Sequence, residues 1–201
     1  MGDFELRSAR YLALEAQQAA IRAGDTVIDA TLGNGHDTLR LAQLVGEQGL
    51  VIGFDIQPEA VRSTRKRLEE AGMAERCELH LTGHEHMAEV VQKSVRCVVF
   101  NLGWLPGGDK HITTQWLTTE KAVAAALGLL EPMGVCTLCV YPGHREGAVE
   151  LENLTSFLSS LKPQEFNVLR QEFLNAGPGA PVCFVIQKQA SAANDCSVRS
   201  V

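Results

Sequence analysis

Short runs of β-branched and apolar residues alternate with helix-length stretches along most of this 201-residue chain. No other feature restricts its fold as much. A strand that is apolar throughout must be covered on both faces, and parallel strands need helical crossovers to supply that cover. Residues 6–21 carry helical spacing (Leu6, Ala9, Leu14, Ala20) and stop before the Gly24-Asp25 turn. Strands are predicted over 26–30, 49–56, 77–81, 95–101 and 135–141. Between them, helices are predicted over 36–45, from Pro58 to 72, and over 118–130, the last stopped by Pro132 and Gly134; another follows over 146–161. Pro58 suits a first helical turn, where its missing N–H costs nothing. Residues 166–174 and 181–188 form a strand pair with no helix between them. The expected fold is α/β: a doubly wound, mostly parallel sheet with an antiparallel hairpin at its C-terminal edge. It occupies a single domain over residues 1–189, and a flexible polar tail follows over 190–201.

Charge and cysteine usage then remove whole classes. Eighteen Lys and Arg stand against twenty-four Asp and Glu, a net charge of −6. Bulk positive charge cannot hold such a chain on nucleic acid, so any nucleic-acid partner needs a local patch. No apolar run reaches the roughly 18 residues of a membrane span. The residues from Met1 to Glu5 lack a basic-then-apolar signal pattern, and the expected location is the cytoplasm. Cys77, Cys97, Cys136, Cys139 and Cys183 sit in apolar strand-like runs, as small hydrophobes do. Three residues apart on one strand, Cys136 and Cys139 face opposite ways and make neither a zinc nor a redox pair. Cys196 lies in the tail.

Ligands of open α/β sheets bind beyond the carboxyl ends of the strands. After the first strand comes Asp29-Ala30-Thr31-Leu32-Gly33-Asn34-Gly35-His36-Asp37-Thr38. Two glycines at spacing two permit a tight turn at a helix start. The dinucleotide fingerprint needs a third glycine where Thr38 stands, which disfavours NAD and FAD. Asp29 and Asp37 would repel a pyrophosphate but suit a cation. S-adenosylmethionine, with its ammonium and sulfonium, fits. The second strand ends at Asp55, about 20 residues past the loop, placed to accept both ribose hydroxyls. His84, after the third strand, lies where an adenine edge would rest. His84 and His86 lack a second ligand cluster, so no metal is expected.

The fourth strand ends in Asn101-Leu102-Gly103-Trp104-Leu105-Pro106-Gly107-Gly108-Asp109-Lys110. An amide at a strand end with an aromatic three residues on resembles the Asn-Pro-Pro-aromatic motif of amino-group methyltransferases. There the amide oxygen accepts from a target amine and aligns its lone pair for in-line displacement, while the aromatic stacks on the base. Leu102-Gly103 replaces the two prolines.

Residues 29–38, 101–110, 112–114 (Ile-Thr-Thr) and 141–147 (Tyr-Pro-Gly-His-Arg-Glu-Gly) together resemble the MnmM-type methyltransferases of bacteria, over about residues 5–188. The resemblance implies a class I, Rossmann-like S-adenosylmethionine fold. It also implies methylation of the aminomethyl nitrogen of 5-aminomethyl-2-thiouridine at the tRNA wobble position, with the anticodon stem-loop gripped by one chain or by a homodimer. Trp104 stands where many members have Tyr. On this reading the cofactor is held by Asp29, Thr31, Gly33, Asn34, Gly35, Asp37, Thr38, Asp55, Gln57, His84 and Asn101. The substrate meets Gly103, Trp104, Lys110, Thr114, Tyr141 and His144, and catalysis falls to Asn101, Trp104 and Asp29. An aliphatic amine attacks only when neutral; Asp29, Asp109, Tyr141 and His144 are all candidate bases. Lys110 would meet a phosphate or carboxylate-like group or stay a solvated loop lysine, and Thr113 and Thr114 would meet the nucleotide or cap the next helix. Arg62, Arg65, Lys66 and Arg67 read as a solvated helix face. Methylation of a small-molecule amine or of rRNA, and a non-catalytic S-adenosylmethionine-binding module, stay open as alternatives.

Overall fold

Successive strand residues of this chain enter different apolar layers. In the computed structural model, which describes residues 8–177 and 179–190, Val27 of β1 (Thr26–Asp29) packs into one layer and its neighbour Ile28 into the other. The expected helix start at Leu6, Cys196 and the tail from residue 191 lie outside the described residues.

The first layer joins Val27, Val51, Cys97 and Val99 to α2 (His36–Val45) through Leu41, Ala42 and Val45, and to α3 (Pro58–Glu70) through Leu68. On the same face, α1 (Ala9–Ala20) lays Ala9 and Ala13 on Cys139 and Cys183. Residues of that size let a helix backbone approach the sheet closely. The opposite layer joins Ile28, Phe54, Val98, Phe100 and Leu138 to α5 (Trp116–Leu129) and α6 (Arg145–Ser159). Phe100 is fully buried there, and cutting it to Ala would cost about 3–5 kcal/mol. Cys136 and Cys139 fall in opposite layers, as their spacing requires.

The remaining elements are β2 (Leu50–Asp55), β3 (Cys77–Leu81), the single-turn α4 (Met87–Val90), β4 (Val95–Leu102), β5 (Leu130–Val140), β6 (Phe166–Gln171) and β7 (Val182–Lys188). The strand order is β3-β2-β1-β4-β5-β7-β6. β7 runs antiparallel between β5 and β6, so the antiparallel strand lies one place in from the edge. The fold is the expected doubly wound sheet with a C-terminal hairpin.

Two local departures have physical causes. β5 begins at Leu130 rather than 135, because Val95 pairs Leu130 while Cys97 pairs Val135. The surplus residues bulge, with Met133 at φ 65°, so Pro132 and Gly134 mark a bulge inside the strand as well as the helix end. α4 and the 3₁₀ turn His84–His86 escaped notice, being too short to carry periodicity.

Candidate active site

Beyond the carboxyl ends of β1 and β4, where the strand order reverses, a cavity of about 640 Å³ opens. That volume lies inside the range of small-molecule sites, roughly 300–1,000 Å³. Loops after β1, β2, β3, β4 and β5 all contribute to its wall.

One half is braced by backbone. The Gly33 N–H donates to Asp55 Oδ2 at 3.0 Å, and the Gln57 N–H to Asp55 Oδ1 at 2.9 Å. Burial pushes the Asp55 carboxyl above its usual range, and those two bonds oppose the shift. Gly35 sits at φ 75°, where a Cβ would come 2.8 Å from the Thr64 backbone, so only glycine fits. Arg67 Nε donates to the Asn34 carbonyl at 2.8 Å. Arg67 therefore clamps the glycine loop and is no part of a merely solvated face. His84 is buried against the Ala30 carbonyl (3.3 Å), and burial lowers its pKa, which keeps a neutral imidazole in the wall.

The other half is braced by side chains from distant parts of the chain. Asn101 Nδ2 donates to Asp37 Oδ2 at 2.8 Å, and the Asn101 N–H donates to Thr31 Oγ1 at 2.8 Å. A carboxylate only accepts, so the amide must present its NH₂ to Asp37 and its Oδ1 elsewhere. Arg10 grips both oxygens of Asp37, through Nε at 3.3 Å from Oδ2 and through Nη2 on Oδ1. Trp104 stacks at a tilt on His144, centroids 4.5 Å apart. His144 caps α6, its Nδ1 accepting from the Gly147 N–H at 3.2 Å, with Glu146 Oε2 3.4 Å away. In the neutral ring this puts the hydrogen on Nε2, which is buried and unpartnered. The Thr113 hydroxyl is likewise buried and unpartnered, and both residues line the cavity. Asn34 Nδ2 joins the halves by donating to the Pro106 carbonyl at 3.1 Å.

Several expected site residues stand elsewhere. Asp29, Gly35 and Thr38 do not line the cavity. Asp29 is fully buried behind the loop, accepting from Thr38 Oγ1 (2.7 Å) and the Thr31 N–H (3.2 Å), and burial raises its pKa to about 7. It braces the loop and cannot reach a substrate proton. With Asp29 withdrawn and Asp37 paired to Arg10, the cation-attracting charge expected at this loop is largely absent. Lys110 lies outside the wall, its Nζ 5.6 Å from the Trp104 ring centroid. Asp109 is an exposed turn residue accepting from the His111 N–H. Thr114 does line the cavity, yet its hydroxyl donates to buried Glu150 at 2.7 Å instead of capping α5. Thr31, Gly33, Asn34, Asp37, Asp55, Gln57, His84, Asn101, Gly103, Trp104, Tyr141 and His144 line one continuous cavity.

Two residues were missed. Glu150 accepts from Thr114 and from Thr119 Oγ1 (2.6 Å), tying the loop after β4 to α6. Its signal was available: Glu150 shares a four-residue spacing with buried Leu154 and Leu158, a charge on an apolar stripe. Arg10 left no comparable local trace, since its partner is 27 positions away.

These residues fit S-adenosylmethionine. Each Asp55 oxygen keeps a lone pair beyond its backbone bond, enough for a ribose diol, and Ile56 and His84 offer flat apolar surface to an adenine. Residues 51–187 match the family model described as "Putative rRNA methylase". An Arabidopsis thaliana chloroplastic protein, tRNA (mnm(5)s(2)U34)-methyltransferase, is 40% identical over 92% of this chain and 71% of its own length. A Clostridium thermocellum crystal structure described in the same words as the family is 37% identical, with TM-score 0.90 over 92% of this chain and all of its own. A candidate methyltransferase from Streptococcus mutans in complex with SAH is 30% identical, with TM-score 0.83 over 92% of this chain and 99% of its own. The chain belongs to this family, the S-adenosylmethionine-dependent methyltransferases of MnmM type that its motifs resemble.

Proposed function

We infer that this enzyme methylates the aminomethyl nitrogen of 5-aminomethyl-2-thiouridine at the tRNA wobble position, giving the 5-methylaminomethyl form. The observation that carries the reading is the fixed Asn101 amide, whose Oδ1 is left to accept from an amine. The substrate named for the Arabidopsis relative supports it. When bound, S-adenosylmethionine supplies a methyl group whose bond to sulfur breaks as the amine lone pair takes the carbon. Asp55, Gly33 and His84 hold the cofactor half. Asn101 Oδ1 accepts one N–H of the amine and points its lone pair inward. Trp104 stacks on the extruded base, and the His144 Nε2–H and the Thr113 hydroxyl meet its polar edge.

None of the four candidate bases suits the task. Asp29 and Asp109 are off the cavity, burial holds Tyr141 protonated with its pKa pushed up to about 12, and the Nδ1 lone pair of His144 is engaged. The amine is therefore bound as the minor neutral form, and its proton leaves to solvent. We place the enzyme in the cytoplasm, acting as a single domain over 1–189 on the anticodon stem-loop. With a net charge of −6, salt dependence should be modest.

The test offers unmodified tRNA and tRNA bearing 5-aminomethyl-2-thiouridine side by side to the purified protein. Methyl transfer to the second alone is expected. Equal transfer to both sinks the wobble assignment, and transfer only to a free small amine favours the small-molecule reading. Single-turnover rate should also rise about tenfold per pH unit until the bound amine is neutral.

A further inference from the structure

Resting on the amine-methylation reading, one problem of charge stands out. Asp37 lines the cavity and holds the Asn101 amide that meets the amine. A carboxylate within about 4–6 Å favours the charged form of a base. Unopposed, Asp37 would keep the substrate as an ammonium ion, which has no lone pair to donate. The carboxylate that orients the amine would also disarm it.

The groups facing Asp37 are few. Asp29 lies behind it on β1, its carboxyl pushed up to about 7 by burial, and Asp55 at the end of β2 acts on Asp29. Cys139 on β5 and Tyr141 stay protonated, the thiol pushed up by its hydrogen bond with Cys183 and by burial, the phenol by burial; Cys183 on β7 is shifted down by that same bond to Cys139. His36 beside it, His84 after β3 and His144, the cap of α6, are imidazoles, and Glu85 adds another carboxylate to the wall. Among the described residues that line the cavity, Arg10 of α1 is the one Lys or Arg. Its guanidinium engages both Asp37 oxygens, the forked geometry that suits arginine to a carboxylate. Asp37 in turn raises the Arg10 pKa, so the cation persists through any working pH.

We propose that Arg10 is a positioning residue acting through Asp37: its charge cancels that of the carboxylate, so that Asp37 turns the Asn101 amide toward the substrate without holding the amine protonated. The arrangement separates two properties of one side chain. Asp37 keeps its hydrogen-bond acceptor toward Asn101 and loses its field toward the amine. The helix that carries Arg10 thereby belongs to the chemistry, although it precedes the first strand.

The test compares Arg10→Gln, Arg10→Lys, Asp37→Asn and the Arg10→Gln/Asp37→Asn double variant. Single-turnover rate on aminomethyl-bearing tRNA is followed against pH. A second readout follows, against pH, the affinity of the aminomethyl stem-loop for protein loaded with SAH. Calorimetric SAH affinity near the native value establishes that each variant is folded. Arg10→Gln should move the rising limb of both profiles up by about one pH unit, and so slow turnover about tenfold at a pH below the limb. Arg10→Lys should keep the limb near its native position. Asp37→Asn, with an acceptor still offered to Asn101 and Arg10 now unopposed, should move it down. The double variant should return it.

A limb that stays put in Arg10→Gln while the rate falls makes Arg10 structural and overturns the proposal. A double variant whose limb remains where Arg10→Gln placed it overturns it equally, since the charge being cancelled would not be that of Asp37. Should Arg10→Gln fail to bind SAH, the direction of the Asp37→Asn shift decides: an unmoved or upward limb overturns the proposal. Native protein that leaves aminomethyl-bearing tRNA unmethylated defeats the underlying reading itself, a result visible before any variant is compared.

Discussion

The two halves of the cavity are built by different means. Around Asp55, backbone amides from within a few residues of each strand end satisfy the polar groups, and the Arg67 clamp and the positive-φ glycine fix the loop. Around Asn101, orientation depends on side chains 27 to 64 positions apart, and two polar atoms, Thr113 Oγ1 and His144 Nε2, are buried without partners. A buried polar atom without a partner costs about 1–3 kcal/mol. The cofactor half is thus complete in itself, while the substrate half carries unspent hydrogen-bonding capacity that a bound base would use. On the proposed assignment, cofactor binding falls to the side braced by backbone, and discrimination to the side that gains most on being filled.

That contrast breaks most visibly at Asn101. Asn101→Ala should cut turnover about 10²-fold or more while leaving cofactor affinity nearly native; turnover within threefold of native would reduce the amide to a strand terminus. On the opposite half, Asp55→Ala should weaken cofactor binding by about 1.5–3 kcal/mol, roughly 10- to 150-fold, in calorimetry. Unchanged affinity removes Asp55 from the ribose site.

A smaller effect separates bracing from catalysis. Burial lifts Asp29 from 3.8 to about 7 in the folded chain. Between those values the folded state holds a proton that the unfolded state has lost, so this group's contribution to stability falls as pH rises through that window. Asp29→Asn should remove a slope of about 1 kcal/mol per pH unit there, read from denaturant midpoints. An identical slope in both proteins would deny that Asp29 is a buried brace. Least of all, Thr113→Val should weaken binding of the modified stem-loop by about 0.5–1 kcal/mol and leave cofactor affinity alone. A loss confined to the cofactor would reverse the assignment of the two halves.

Local signals made the cofactor half readable. A glycine pair after one strand and an acid at the end of the next are short-range facts, and the helix over 36–45 and the strand over 77–81 coincide with those expected. Asn101 and Trp104 were legible because motif and strand end coincide. What escaped needed the third dimension. The pair Arg10–Asp37 and the Thr114–Glu150 bond join elements that only the sheet order brings together. Asp29 misled for a related reason: a carboxylate at the start of a ligand loop reads the same whether it faces the cavity or the core, and only the burial of β1 on both sides decides.

The place of β7 has a consequence for how the molecule comes into being. Among the described residues β6 pairs only with β7, and β7 fills the edge of β5. α1 in turn rests on Cys139 and Cys183, one thiol from each of those two strands. During synthesis, then, the first helix has no finished floor to settle on until one of the last segments has been made and threaded between two strands already present. Such long-range closure is slow compared with local structure. A nascent chain can shape its glycine loop early, whereas the surface under α1, the helix that brings Arg10 to Asp37, is complete only once residues 182–188 have paired with β5.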